Sequence, residues 1–178
     1  MKPGIVVMSE LEGAFAEHLL AIQKRFDPRM AAELPPHITI TGSSGMGPIA
    51  PETTDEELRR ALEPVAAATE PFSVRVEPPT RFMQSTVVVM QIDPNGPIRA
   101  LHERIKQSGL RYEQPRFTFT PHVTLSFYPE LTRERLKELV QVRFAEPIII
   151  DSIQAYRALD LTRTRKVLDL PLAGPTSP

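Results

Sequence analysis

One five-residue pattern occurs twice in the chain, as Pro36-His37-Ile38-Thr39-Ile40 and as Pro121-His122-Val123-Thr124-Leu125. In both copies polar and apolar residues alternate after a proline, which reads as a half-buried strand entered from an extended or turn segment. A helix and then a strand follow each copy, so the chain reads as two related halves that contribute one such strand each. Side chains two apart on a strand share a face. His37, Thr39 and Thr41 are therefore expected on one face, against Ile38 and Ile40. In the second copy His122, Thr124 and Ser126 oppose Val123, Leu125 and Phe127.

The other segments support a mixed α+β chain. A strand is expected at Gly4–Met8 and a helix at Leu11–Phe26, stopped by Asp27-Pro28. The Gly/Ser stretch from Gly42 to Gly47 reads as a flexible loop. Thr54 and Glu57 form a capping box, and Pro64 is expected to kink or split the helix behind it. Further strands are expected at residues 72–76, Thr86–Ile92, His122–Phe127, Ile148–Tyr156 and Lys166–Leu170. Pro97 opens a helix that ends at Gly109, and a short helix lies near Thr132–Val140. Residues 1–172 read as a single domain and 173–178 as a loose tail.

If the two strands face each other across a groove, two imidazoles and two hydroxyls converge on one small volume. That set suits phosphodiester cleavage. Imidazoles with an ordinary pKa near 6.5 can divide base and acid duty. Threonine hydroxyls can donate to the non-bridging oxygens as charge builds. Two other readings of the histidines stand beside this one. They can be strand residues satisfied by local hydrogen bonds, or metal ligands, although each motif supplies one ligand where a zinc site needs three or four. The chain has no cysteine, which removes disulfides, zinc-thiolate and iron–sulfur sites and thiol nucleophiles. With Lys+Arg 21 against Asp+Glu 22, it lacks the basic excess of a general nucleic-acid coat protein.

Two segments are locally basic, Arg99–Arg116 and Arg157–Lys166. Either can edge a substrate cleft or be a solvated face. Arg116 is a candidate substrate contact, and Phe119 and Tyr128 flank the second motif as candidate base-stacking residues. Thr41 and Ser126 join them by the alternation above. Gly42–Gly47 lacks the Lys-Ser/Thr ending of a P-loop, no Gly-x-Ser-x-Gly elbow exists, and His18 and His102 read as structural or exposed. No stretch suits a membrane span or signal-peptide core, so the chain reads as soluble and cytoplasmic.

The paired, proline-led His-x-Thr motifs resemble those of the two-histidine (2H) phosphoesterase superfamily, and most closely its bacterial branch of 2′-5′ RNA ligase-like proteins and RNA 2′,3′-cyclic phosphodiesterases. The resemblance implies a bilobal fold of two pseudo-symmetric lobes. Each has an antiparallel sheet flanked by helices, and a catalytic cleft runs between them. It implies His37, Thr39, His122 and Thr124 as the catalytic set, acting without metal or other cofactor. The implied reaction is water attack on a 2′,3′-cyclic phosphate of RNA or a nucleotide, leaving a 2′-phosphate; 2′-5′ oligonucleotide cleavage or ligation, or RNA-end binding alone, are the alternatives. RNA 3′ ends or small cyclic nucleotides are then the partners of a monomeric protein. His122 is assigned as base and His37 as acid, an order the two equivalent motifs leave open. The first motif runs into Thr41-Gly42-Ser43-Ser44-Gly45, where many RNA-ligase-like members carry an aromatic; the second keeps Phe127-Tyr128.

Overall fold

A computed structural model of the protein describes residues 4–42, 44–82, 85–127, 131–159 and 164–174. The elements of the first half are β1 (Ile5–Glu10), α1 (Gly13–Phe26), α2 (Pro28–Glu33), β2 (His37–Thr41), α3 (Asp55–Ala67) and β3 (Phe72–Val74). Then come β4 (Thr80–Arg81), β5 (Val88–Gln91), α4 (Pro97–Lys106), β6 (His122–Ser126) and α5 (Arg133–Leu139). Strands β7 (Ile148–Ile150), β8 (Ser152–Ala158) and β9 (Thr164–Pro171) close the fold.

The strands form two lobes of antiparallel sheet. One holds the order β2-β1-β8-β9; the other holds β4-β5-β6, with the two-stranded β3-β7 sheet beside it. Both His-x-Thr strands are edge strands, and they meet each other between the lobes. The apolar faces of α1 (Phe15, Leu19, Ile22, Phe26) and α4 (Ile98, Leu101, Ile105) enter one shared core with Ile38, Ile40, Val123 and Leu125. Helix α1 packs on β6 and α4 on β2, so each of these helices supports the motif strand of the opposite lobe.

Several expectations are corrected. Helix α3 runs unbroken through Pro64. Pro64 stands in the last turn, where only one ladder bond is lost, and its own carbonyl still accepts from Ala68 N. The capping box (Glu57 N to Thr54 Oγ1, 3.2 Å; Thr54 N to Glu57 Oε2, 2.7 Å) and buried Leu58, Leu62 and Ala66 hold the rest. The single strand expected at Ile148–Tyr156 is two strands in different sheets, divided at Asp151, whose carbonyl accepts from Leu172 N. Asp27-Pro28 ends α1 and also starts α2, because the Asp27 carboxylate accepts from Met30 N at 3.0 Å. The Gly42–Gly47 segment is pinned at its described residues. Gly45 N donates to Phe117 O, and a Cβ on Gly47 would stand 2.0 Å from Glu113 O.

Candidate active site

The two motif strands are copies in detail. Both show the same burial order, with His and Thr partly exposed and the last two residues buried. Both pair in the same register. His37 lies opposite Glu10, Thr39 opposite Met8 and Thr41 opposite Val7; His122 lies opposite Gln91, Thr124 opposite Val89 and Ser126 opposite Val88. In each ladder one residue, Ile40 or Leu125, is left over as a bulge. A bulge adds one residue to one strand and so shifts its alternation. Thr41 and Ser126 are turned inward by it and are fully buried, which corrects their expected place on the histidine face. Thr41 Oγ1 accepts from Val7 N at 3.0 Å, and Ser126 Oγ donates to Asp27 Oδ2 at 3.2 Å. Both hydroxyls close the strand ends.

The histidines match as closely. His37 Nδ1 donates to Pro35 O at 2.8 Å and His122 Nδ1 donates to Thr120 O at 2.7 Å. A carbonyl can only accept, so Nδ1 carries the proton in the neutral ring and Nε2 is left for proton transfer. Burial lowers the proton affinity of both rings, partly offset by these carbonyls. His122 further lowers that of His37, while Glu10 raises it. His122 thus acts on His37 across the lobe boundary, and two imidazoles so placed can divide base and acid duty. The described residues hold no group of three or more His, Cys, Asp or Glu side chains arranged as a metal set.

Side chains from the opposite lobe fix both strands. Buried Gln23 on α1 donates to Thr124 O at 2.8 Å. Buried His102 on α4 donates from Nδ1 to Ile40 O at 2.8 Å. Asp27 also accepts from Phe127 N at 2.7 Å. The Phe82 ring lies against His122, with centroids 4.9 Å apart. Glu10, Gln23, Phe82 and Gln91 do not stand out in the sequence, and Asp27 and His102 read there only as a helix stop and a structural or exposed histidine; each is placed by register or by packing across the lobes. The first strand, expected at Gly4–Met8, runs on to Glu10 and so reaches opposite His37.

The remaining candidates are scattered. Phe119 is buried and stacked on His102 (3.9 Å), with the Arg99 guanidinium 5.1 Å from its ring centroid; packing inside the protein replaces its expected base-stacking role. Arg116 is exposed, next to the Phe117 that bridges Ser44 just beyond the first motif. Tyr128 lies outside the described residues. The basic segments are largely spoken for: Arg104 donates to Ala68 O, Arg111 pairs with Glu52, and Arg157 pairs with Asp55. His18 is exposed beside Phe144.

Comparison with known proteins agrees with this architecture. A protein of Geobacillus kaustophilus named "Putative phosphoesterase" is 31% identical over 130 residues, 70% of this chain and 68% of its own. A protein of the same name from Geobacillus thermodenitrificans is 32% identical over 127 residues, again 70% and 68%. Among solved structures, TT0787 of Thermus thermophilus shares the fold at TM-score 0.68 and 16% identity, covering 96% of this chain and 98% of that one. E. coli LigT complexed with 3′-AMP does so at TM-score 0.60 and 15% identity, covering 96% and 97%. A sequence profile of the 2′-5′ RNA ligase superfamily matches residues 11–160. The chain belongs to that superfamily, the two-histidine phosphoesterases.

Proposed function

We propose that the protein is a phosphodiesterase that opens 2′,3′-cyclic phosphates at RNA 3′ ends or on nucleotides, by acid–base catalysis between His37 and His122. In this reading His122 Nε2 takes a proton from water as the water oxygen bonds to phosphorus. The bond from phosphorus to O3′ breaks, and O3′ takes the proton carried on His37 Nε2, leaving a 2′-phosphate. Thr39 and Thr124, beside the histidines on the partly exposed face, donate to the non-bridging oxygens. The reverse direction exchanges the two histidine roles. The observation that carries the reading is the matched anchoring of both Nδ1 atoms to backbone carbonyls, which leaves each Nε2 as the nitrogen able to exchange a proton. The nucleotide complex of LigT, which shares the fold, supports a nucleotide substrate.

The test is hydrolysis of the four 2′,3′-cyclic mononucleotides and a short RNA with a cyclic-phosphate end, in EDTA, by the wild type and by His37→Ala and His122→Ala. Each variant is expected to lose about 10²-fold or more in kcat. Wild-type activity that survives in both variants would overturn the reading.

A further inference from the structure

The Phe82 ring lies on the His122 imidazole, with centroids 4.9 Å apart and planes 34° from parallel. The two residues are not neighbours on the sheet. His122 stands opposite Gln91 on β5, whereas the Phe82 amide donates to Val87 O at 2.8 Å, four residues back along the same chain. Four residues of extended strand span roughly 13 Å, so the Phe82 side chain reaches back along the sheet to meet His122. Among the described residues no aromatic ring lies against His37, although the two histidines match in register and anchoring.

The turn that follows β4 is built on Phe82. Its amide donates to Val87 O, and its carbonyl accepts from Ser85 N at 2.9 Å and from Ser85 Oγ. Ser85 Oγ in turn accepts from Val87 N at 3.1 Å. The Arg81 guanidinium donates twice to Ser85 O, at 3.2 and 3.1 Å. Strand β4 has two residues and lies at the edge of its sheet, so its own ladder is a weak support. The turn ties both backbone polar groups of Phe82 and holds the half-buried ring at the site.

The imidazole it meets is fixed at one atom by the bond from His122 Nδ1 to Thr120 O. A flat ring held by one hydrogen bond can still tilt about it. A second ring packed on its face restricts that tilt, as packing locks the rotamer of a working side chain. The histidine face of this lobe is dry at a second place: Val89, paired with Thr124, is fully buried although it lies outside the shared core. The other groups around His122 are uncharged Gln91 opposite it and His37 across the lobe boundary. The nearby charges are engaged elsewhere, Arg81 on Ser85 O and Asp27 on Ser126 and Phe127 at the far end of β6.

We propose that Phe82 is a positioning residue, whose ring fixes the plane of His122 so that Nε2 is aimed at the substrate and keeps water from one face of the imidazole. This rests on the acid–base reading above and adds to it a residue outside both motifs. Phe82 acts through His122 and touches no reacting atom. Burial is the largest influence on the proton affinity of His122, and it lowers that affinity. Removing the cover should therefore raise it.

The test compares Phe82→Ala and Phe82→Tyr with the wild type, by NMR titration of the histidine rings and by steady-state kinetics on a 2′,3′-cyclic mononucleotide. His37 and His122 are assigned from their alanine variants. In Phe82→Ala the His122 midpoint is expected to rise toward 6.5 by about half a pH unit, with His37 moving less. kcat should fall about 10-fold while KM changes less than about 2-fold. The acid limb of kcat/KM, where the base must lose its proton, should move up with the His122 midpoint. Phe82→Tyr keeps the flat face and should restore both midpoint and rate. An unmoved His122 in a folded Phe82→Ala, or equal movement of both rings, would overturn the inference. So would a raised KM at unchanged kcat, which would make Phe82 a substrate contact. If Phe82→Ala does not fold, Phe82→Val, which suits a strand but lacks the ring, decides by the same readings. The titration needs no substrate. Absence of wild-type turnover would defeat the phosphodiesterase reading and leave this measurement standing.

Discussion

The Gln23 side-chain amide donates to the carbonyl of Thr124 across 2.8 Å, joining a helix of one lobe to the histidine strand of the other. His102 repeats the arrangement in the opposite sense on Ile40 O. The two lobes hold each other's histidine strands in register. This makes separate predictions for each tether.

Replacing Gln23 by Leu leaves the partly buried Thr124 carbonyl without this donor. We expect a loss of about 1–3 kcal/mol in stability and a fall in kcat larger than the change in KM, because the strand carrying His122 loses its reference point. Gln23→Glu should be worse than Gln23→Leu near neutral pH, since an ionised carboxylate repels the carbonyl. Denaturant melts with steady-state kinetics check both.

His37, His102 and His122 all have their proton affinity lowered by burial. The unfolded chain, with histidines near 6.5, therefore binds more protons than the folded one as the pH falls. Stability from these groups is present at pH 7 and is lost as pH falls through about 6.5 and below. We expect Tm to drop between pH 7 and pH 5.5, above the carboxylate range, and the drop to shrink in His102→Phe. A Tm that is flat or rising over that interval would contradict it.

The same lowering bears on rate. The acid must hold its proton in the free enzyme, so kcat/KM for a cyclic nucleotide should peak on the acid side of 6.5 and decline as pH rises. A pH–rate profile from 4.5 to 8.5 in EDTA measures this, and an optimum at pH 7.5 or above would be the contrary result.

Gly42 leaves room for Thr39, which the proposed reaction uses as a donor to the phosphate. A Cβ built there would stand 2.9 Å from Thr39 Cγ2, and a β-branched side chain has few rotamers into which to retreat. Gly42→Ala should lower kcat about 10-fold or more by displacing the Thr39 hydroxyl, with a modest change in Tm. Gly45→Ala meets the His102 ring at 2.3 Å and a positive φ of 78°. It should destabilise the whole protein by about 2 kcal/mol or more.

Much of this site was legible in the sequence because its signal is local. Two histidines and two threonines at a period of two, each behind a proline, are enough to place two strands and the polar face of each. The same period misplaced Thr41 and Ser126. A bulge leaves no mark in an alternating run, and here it turns the last hydroxyl of each strand inward. Phe119 went to the core for a related reason: its stacking partner His102 is brought beside it by tertiary packing. Glu10 and Gln91 are set by cross-strand register, which no window along one strand can report. The division at Asp151 was hidden because Ile148–Tyr156 has the propensity of one strand, while the two halves belong to different sheets.

The N-terminal lobe is completed by the C-terminal end of the described chain. Strand β1 is sandwiched between β2 and β8, and Ile5 pairs with Arg157. During synthesis the first histidine strand leaves the ribosome early, but the sheet beneath it waits for β8 and β9 to emerge. Pairing over so long a stretch is slow to form, and it leaves a strand edge open meanwhile. A nascent or truncated chain lacking β8 and β9 would therefore carry both histidines without the frame that joins them.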